Sequence, residues 1–173
     1  MPTLLHLTAQ ARCDTPLGRV LIARTEAGLA GLWFESQKWH PDPFDAPERP
    51  DDPLLRDAAM QIGDYFAGRL VRFELPTDLH GSPFQRSVWQ ALCTIERGAT
   101  RSYADIARHV GTPLAVRAVG AAIGRNPLSV IVPCHRVVGS DGSLTGYAGG
   151  LERKRALLAL ERARTGAAME LVA

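Results

Sequence analysis

The chain has 173 residues, 46% apolar and 22% charged, with three cysteines and a formal net charge of +2. That composition suits one or two small globular domains, and it excludes low-complexity and disulfide-stapled classes. No apolar run is long enough to span a membrane, and the N-terminus lacks the basic-then-apolar pattern of a secretion signal, so a cytoplasmic protein is expected.

In chain order, strand-like segments come first. They run from Leu4 to Arg12, Gly18 to Thr25 and Gly28 to Phe34, with Thr25-Glu26-Ala27-Gly28 as a hairpin turn between the last two. Trp39 to Pro53 is rich in Pro and Asp and reads as a loop. Pro53 to Ala67 carries Leu54, Leu55, Ala58, Ala59, Ile62, Tyr65 and Phe66 at helical spacing. Leu70 to Leu75 reads as a further strand. Pro76 to Pro83 reads as a linker, which predicts one domain over residues 1–79 and a second over 80–173.

The second half is mostly helical in pattern. Phe84 to Ile95 is amphipathic, with Cys93 on its apolar side. Ser102-Tyr103-Ala104-Asp105 has the form of a capping box opening a helix that ends near Val110, before Gly111. Thr112-Pro113 then suggests an N-cap and a proline at the first position of a second helix, Pro113 to Ile123. Two short helices joined by a short turn form a helix-turn-helix pattern. The second helix carries Ala115, Ala118, Gly120, Ala121 and Ala122, with Arg117 as its only charge. Small residues permit tight helix packing. They also permit a close approach to a nucleic acid, through backbone and shape contacts rather than base-edge reading. Charge favours the second option. Residues 1–79 hold 8 basic and 12 acidic side chains, whereas residues 80–165 hold 12 basic and 5 acidic. A basic half beside an acidic one suits a polyanionic partner, although a solvated basic face gives the same count.

The chemistry gathers after the helices. Ser129-Val130-Ile131-Val132-Pro133 is an apolar, strand-like run, and it is followed by Cys134, His135 and Arg136. Cysteines at 13, 93 and 134 form no CxxC pair, so neither a disulfide framework nor a cysteine-rich metal site is indicated. A thiol acts as a nucleophile in its thiolate form, which a neighbouring base or cation favours. A buried structural thiol is the alternative. His135 adjoins Cys134 in sequence, so on an extended chain the two point apart and a water would bridge them. Glu161 follows Leu157 by four and Leu158 by three, which puts it on their inward face, where it would orient the histidine. A surface glutamate beside Arg162 and Arg164 is the other reading. Asn126 would brace the turn before the apolar run, and the loops 139–142 and 146–150 would rim a pocket.

Asn126-Pro127, Ile131 to Gly139 (IVPCHRVVG) and Gly146 to Leu151 (GYAGGL) together resemble the O6-alkylguanine-DNA alkyltransferases, also called methylated-DNA–protein-cysteine methyltransferases. The resemblance is strong over residues 80–162. It implies a ribonuclease-H-like α/β N-terminal domain and a helical, winged-helix-like C-terminal domain. It implies direct reversal of damage, with the alkyl group of O6-alkylguanine, and O4-alkylthymine as a further substrate, passing irreversibly to Cys134. By similarity His135 is the base through water and Glu161 orients it. Tyr103 donates to guanine N3, Asn126 is the hinge, and Arg117 fills the stack when the damaged nucleotide is rotated out. Ala115, Ala118, Ala121, Ser102, Thr112 and Arg125 are the implied DNA contacts, in the minor groove of double-stranded DNA. Ser129, Val137, Tyr147, Ala148 and Gly149 are the implied pocket. A monomer without cofactor is implied, and cooperative binding along DNA is left open. The Cys and His positions do not reproduce the zinc site of the human member, so no metal is expected. Ser129 stands where the human member has proline, and Gly149 is small where some bacterial members carry tryptophan, which predicts an open pocket. An alkyltransferase-like protein that binds the lesion without transfer is the alternative, and such proteins lack the reactive cysteine.

Overall fold

The computed structural model describes residues 6–170, and these fall into two compact units. The first holds the described residues up to His80 together with Pro127–Ile131. The second holds Gly81–Asn126 and the described residues from Val132 onward.

The first unit is an antiparallel sheet in the order β1 (Ala9–Thr15), β2 (Gly18–Arg24), β3 (Leu29–Phe34), with α1 (Pro53–Phe66) packed on β1 and β2. Thr15 pairs with Gly18 across a two-residue loop, where Gly18 has φ 111°, a left-handed value that favours glycine. Thr25 N–H donates to Gly28 O at 2.9 Å, which closes the expected turn between β2 and β3. Both faces of the sheet are covered, so Val20 to Ala23 and all of β3 are buried rather than alternating. Leu55, Ala58, Ile62 and Tyr65 form the buried stripe of α1, while Leu21, Ala23 and Trp33 pack with Leu7 and Phe44. A Cβ on Gly31 would sit 1.7 Å from the Trp33 ring, so only glycine lets the indole lie over the strand. Asp52 caps α1 by accepting from Leu54 and Leu55 N–H.

Several expectations shift here. The first strand begins at Ala9 rather than Leu4, and Leu4 and Leu5 lie outside the described residues. Leu70 to Leu75 is not a strand. The apolar run 129–133 is not a strand either. Leu128 makes one bridge to Leu32, Leu32 N–H donates to Pro127 O at 2.8 Å, and the chain then turns through Val130 at φ 71°. Its apolar composition reflects burial, which strands and turns share.

The second unit contains α2 (Pro83–Leu92), β4 (Arg101–Ser102), α3 (Tyr103–His109), α4 (Val116–Gly124), a 3-10 turn (Cys134–Arg136), β5 (Val137–Val138) and α5 (Leu151–Glu170). Ser82 and Gln85 form a capping box on α2. Trp89 is buried, and its indole N–H donates to Ala122 O at 2.9 Å, which ties α2 to α4. Cys93 is the C-terminal cap of α2 and is exposed, not core, because the helix stops at Leu92, three residues short of the expected end. Ser102 and Asp105 form the expected capping box on α3. Thr112 does not cap α4. Ala115 N–H donates to Thr112 O in an intervening turn, and α4 opens at Val116 without a side-chain cap. Val119, Ala122 and Ile123 form its buried side.

Candidate active site

Two short strands set the geometry. β4 and β5 pair in parallel, Arg101 with Val137 and Ser102 with Val138. This pairing brings the start of α3, where Tyr103 sits, beside the chain leaving the reactive turn. Within that turn Cys134, His135 and Arg136 follow a 3-10 path, so their side chains fan out instead of alternating as on an extended chain.

Cys134 is buried. Burial raises its thiol pKa above the usual value, and the Asn126 amide and the Lys154 charge offset this only in part. Asn126 is itself buried. Its Nδ2 donates to Val132 O at 2.8 Å and to Cys134 Sγ at 3.0 Å. The backbone N–H groups of Cys134 and His135 also favour the thiolate. The resting sulfur is therefore a thiol surrounded by groups arranged for a thiolate.

Beside it, His135 Nε2 lies 2.9 Å from Glu161 Oε1, and both side chains are fully buried. Burial lowers the histidine pKa, against the pull of Glu161, so the ring is neutral at rest. A neutral ring facing a carboxylate through Nε2 keeps its proton there, which leaves Nδ1 as a bare acceptor. Nδ1 is buried and has no hydrogen-bond partner among the described residues. Burial pushes the Glu161 carboxyl up, but His135 and Arg136 outweigh that and hold it ionised.

Arg136 does not serve the sulfur. Its Nη2 and Nε donate to Glu161 at 2.8 and 3.0 Å, and its Nη1 donates to Ile95 O at 2.5 Å. The guanidinium neutralises the carboxylate that orients the histidine. Sequence adjacency placed a base and a cation next to the thiol. The fold supplies one neutral base and sends the cation elsewhere.

Tyr103 is half-buried, and its hydroxyl donates to Thr145 O at 2.9 Å. Val137 is fully buried, Tyr147 and Ala148 are half-buried, and Gly149 is buried, with its carbonyl accepting from Arg153. Ser129 belongs to the first unit, where its hydroxyl donates to Gln37 Oε1 at 3.0 Å. On α4, Arg117, Ala118, Ala121 and Arg125 are exposed and Ala115 is half-buried. Arg117 makes no hydrogen bond or ion pair among the described residues. Ser102 and Thr112 are half-buried.

Lys154 is the residue the sequence reading missed. It is fully buried, and with Leu157, Leu158 and Glu161 it forms the inward stripe of α5. Leu151, at the start of the helix, is exposed. The signal was present, since Lys154 stands three before Leu157 and seven before Glu161, but a lysine at that spacing reads as solvent-facing. Among the described residues no cluster of side chains has the makeup of a metal site, and no helix is long and apolar enough to cross a membrane.

A buried cysteine with a carboxylate-tethered histidine, next to a helix-turn-helix whose outer helix carries small residues and one unpaired arginine, defines a thiol-dependent protein that works on nucleic acid. The match to known proteins narrows this. Residues 83–163 match the 6-O-methylguanine DNA methyltransferase DNA-binding domain, and residues 9–79 match the ribonuclease-like domain of the same proteins. The methylated-DNA–protein-cysteine methyltransferase of Mycolicibacterium paratuberculosis is 48% identical, over 91% of this chain and 94% of its own. The constitutive enzyme of Bacillus subtilis is 47% identical, over 86% and 92%. The crystal structure of Mycobacterium tuberculosis OGT in complex with DNA superposes with a TM-score of 0.85 at 44% identity, covering 91% of this chain and 94% of that one. The chain belongs to the methylated-DNA–protein-cysteine methyltransferase family.

Proposed function

We infer that this chain repairs DNA by direct reversal, moving the alkyl group of O6-alkylguanine, and of O4-alkylthymine, onto Cys134 Sγ. The observation that carries the reading is the state of His135. Its Nε2 is tied to a buried carboxylate and its Nδ1 is a bare acceptor, next in sequence to the thiol. The thiol proton passes through a water to Nδ1, and the forming thiolate attacks the alkyl carbon. The carbon–O6 bond breaks with its electron pair going to guanine, the Tyr103 hydroxyl donates to N3, and the base regains a proton. Net, the proton that His135 took from the thiol ends on guanine N1, so an S–H and an O-alkyl bond become an S-alkyl bond and the N–H of neutral guanine. The thioether has no route back to thiol, so each chain reacts once.

The alkyl carbon cannot meet a buried sulfur while its base is stacked, so the nucleotide must leave the duplex. The exposed Arg117 takes its place in the stack. Ala115, Ala118 and Ala121 let α4 press into the minor groove, with Ser102, Thr112 and Arg125 flanking the backbone. Val137, Tyr147, Ala148 and Gly149 surround the everted base. The protein acts as a monomer, in the compartment that holds the DNA, the cytoplasm. Lesion binding without transfer is disfavoured because both nucleophile and base are assembled. Incubation with a duplex containing O6-methylguanine, followed by intact mass and peptide mapping, tests the reading. One methyl group per chain, on Cys134, is expected. Binding without mass gain, or release of several methyl groups per chain, would refute it.

A further inference from the structure

Lys154 is a buried cation whose charge favours the Cys134 thiolate but whose hydrogen bonds go elsewhere. From α5 its Nζ donates to Thr145 O at 2.7 Å and to Gly146 O at 3.1 Å. The Tyr103 hydroxyl, from α3, reaches the same two carbonyls, at 2.9 and 3.3 Å. The ammonium also lies 5.9 Å from the centroid of the Tyr103 ring. Two donors from two helices therefore converge on one pair of carbonyls. Each carbonyl has two lone pairs, so both donors can be served together.

A hydroxyl has a single proton. While Tyr103 gives it to the loop it cannot give it to a base, so its use on guanine N3 requires it to let go of Thr145 and Gly146. The loop that follows carries Tyr147 and Ala148, which the bound base would touch. A loop fastened by Tyr103 alone would loosen at the moment the base must be held. Lys154 removes that conflict, because its ammonium keeps a donor on each carbonyl after the phenol departs.

We propose that Lys154 is a positioning residue that holds the Thr145 and Gly146 carbonyls so that the Tyr103 hydroxyl is free to move to the everted base. This rests on the reading of Tyr103 as the N3 donor. Burial draws the Lys154 pKa down to about 8, and a neutral amine still donates to both carbonyls. K154M, by contrast, leaves Tyr103 as the loop's remaining donor from this pair and keeps it there.

The test compares single-turnover rates on duplexes containing O6-methylguanine or O6-methyl-3-deazaguanine, which lacks the N3 acceptor. The ratio of the two rates reports how far Tyr103 uses N3. Wild type should show a ratio of about tenfold or more, a usual scale for a positioned donor. Y103F should bring it to about one, K154M should shrink it several-fold, and K154R should restore it. A K154M ratio equal to wild type, whatever its absolute rate, overturns the proposal and leaves Lys154 as packing. A wild-type ratio near one instead overturns the N3 reading of Tyr103, on which the proposal stands. Should K154M fail to fold, Y103F decides. With Lys154 holding the loop, Y103F should melt within about 2 °C of wild type, and a fall of more than about 5 °C makes the phenol the fastener and overturns the proposal.

Discussion

Glu161→Gln separates what the buried cluster does for stability from what it does for chemistry. Wild-type Glu161 is fully buried and takes hydrogen bonds from His135, from Arg136 through two nitrogens and from Gly98 N–H at 3.3 Å. Glutamine keeps the size and one acceptor oxygen but leaves the guanidinium without a counter-charge. Its side chain is only 10% exposed, so water does little to compensate. Breaking one partner out of such a pair costs about 3–5 kcal/mol. At about 2–4 °C per kcal/mol, that is a fall of roughly 6–20 °C in melting temperature. The same change replaces an acceptor-only carboxylate with an amide that can also donate to Nε2, so the proton is no longer fixed there. Loss of a correctly held base slows transfer by about 10²-fold or more. Replacing both partners, as in R136M/E161L, removes the stranded charge and should recover most of the melting temperature. It should not recover the rate, because His135 still lacks its anchor. Calorimetry and single-turnover transfer on the three proteins test this. E161Q with wild-type melting and wild-type rate would refute the assignment of Glu161, and a double variant that regains both would show the carboxylate is only structural.

Three further outcomes follow from the site. His135 is needed unprotonated, and burial holds its pKa below the usual 6.5. The transfer rate should therefore be flat above pH 6.5 and fall only on the acid side of it, and an acid limb at or above pH 7 would contradict a neutral resting base. Arg117→Ala should slow repair in duplex DNA by about tenfold or more while leaving reaction with free O6-benzylguanine within about twofold, since only the duplex must be opened and refilled. Equal losses on both substrates would remove Arg117 from base eversion. O6-Benzylguanine itself should label Cys134, because Gly149 adds no side chain to the pocket, and absence of the label on peptide mapping would show a closed one.

Local rules were legible wherever a single segment decided the outcome. The Thr25–Gly28 turn, α1 and the Ser102–Asp105 box depend on neighbours in sequence, and each stands where the pattern put it. Glu161 was legible for the same reason, since spacing along one helix fixes its face. The apolar run before Pro133 was not, because burial selects the same residues for a strand and for a covered turn. Thr112-Pro113 failed as a helix start because the chain spends those residues on a turn, and α4 begins three later.

By itself the sequence determined which groups were available: one thiol followed by an imidazole and a guanidinium, a carboxylate on an inward helical face, and a nearly bare helix with one arginine. Tertiary structure decided where each charge is spent. Arg136 neutralises Glu161 rather than the sulfur, and Lys154 is buried with its ammonium on two loop carbonyls. The physical reason is that a buried charge settles on whatever partner the fold brings within hydrogen-bonding reach, and that partner comes from a different segment of the chain.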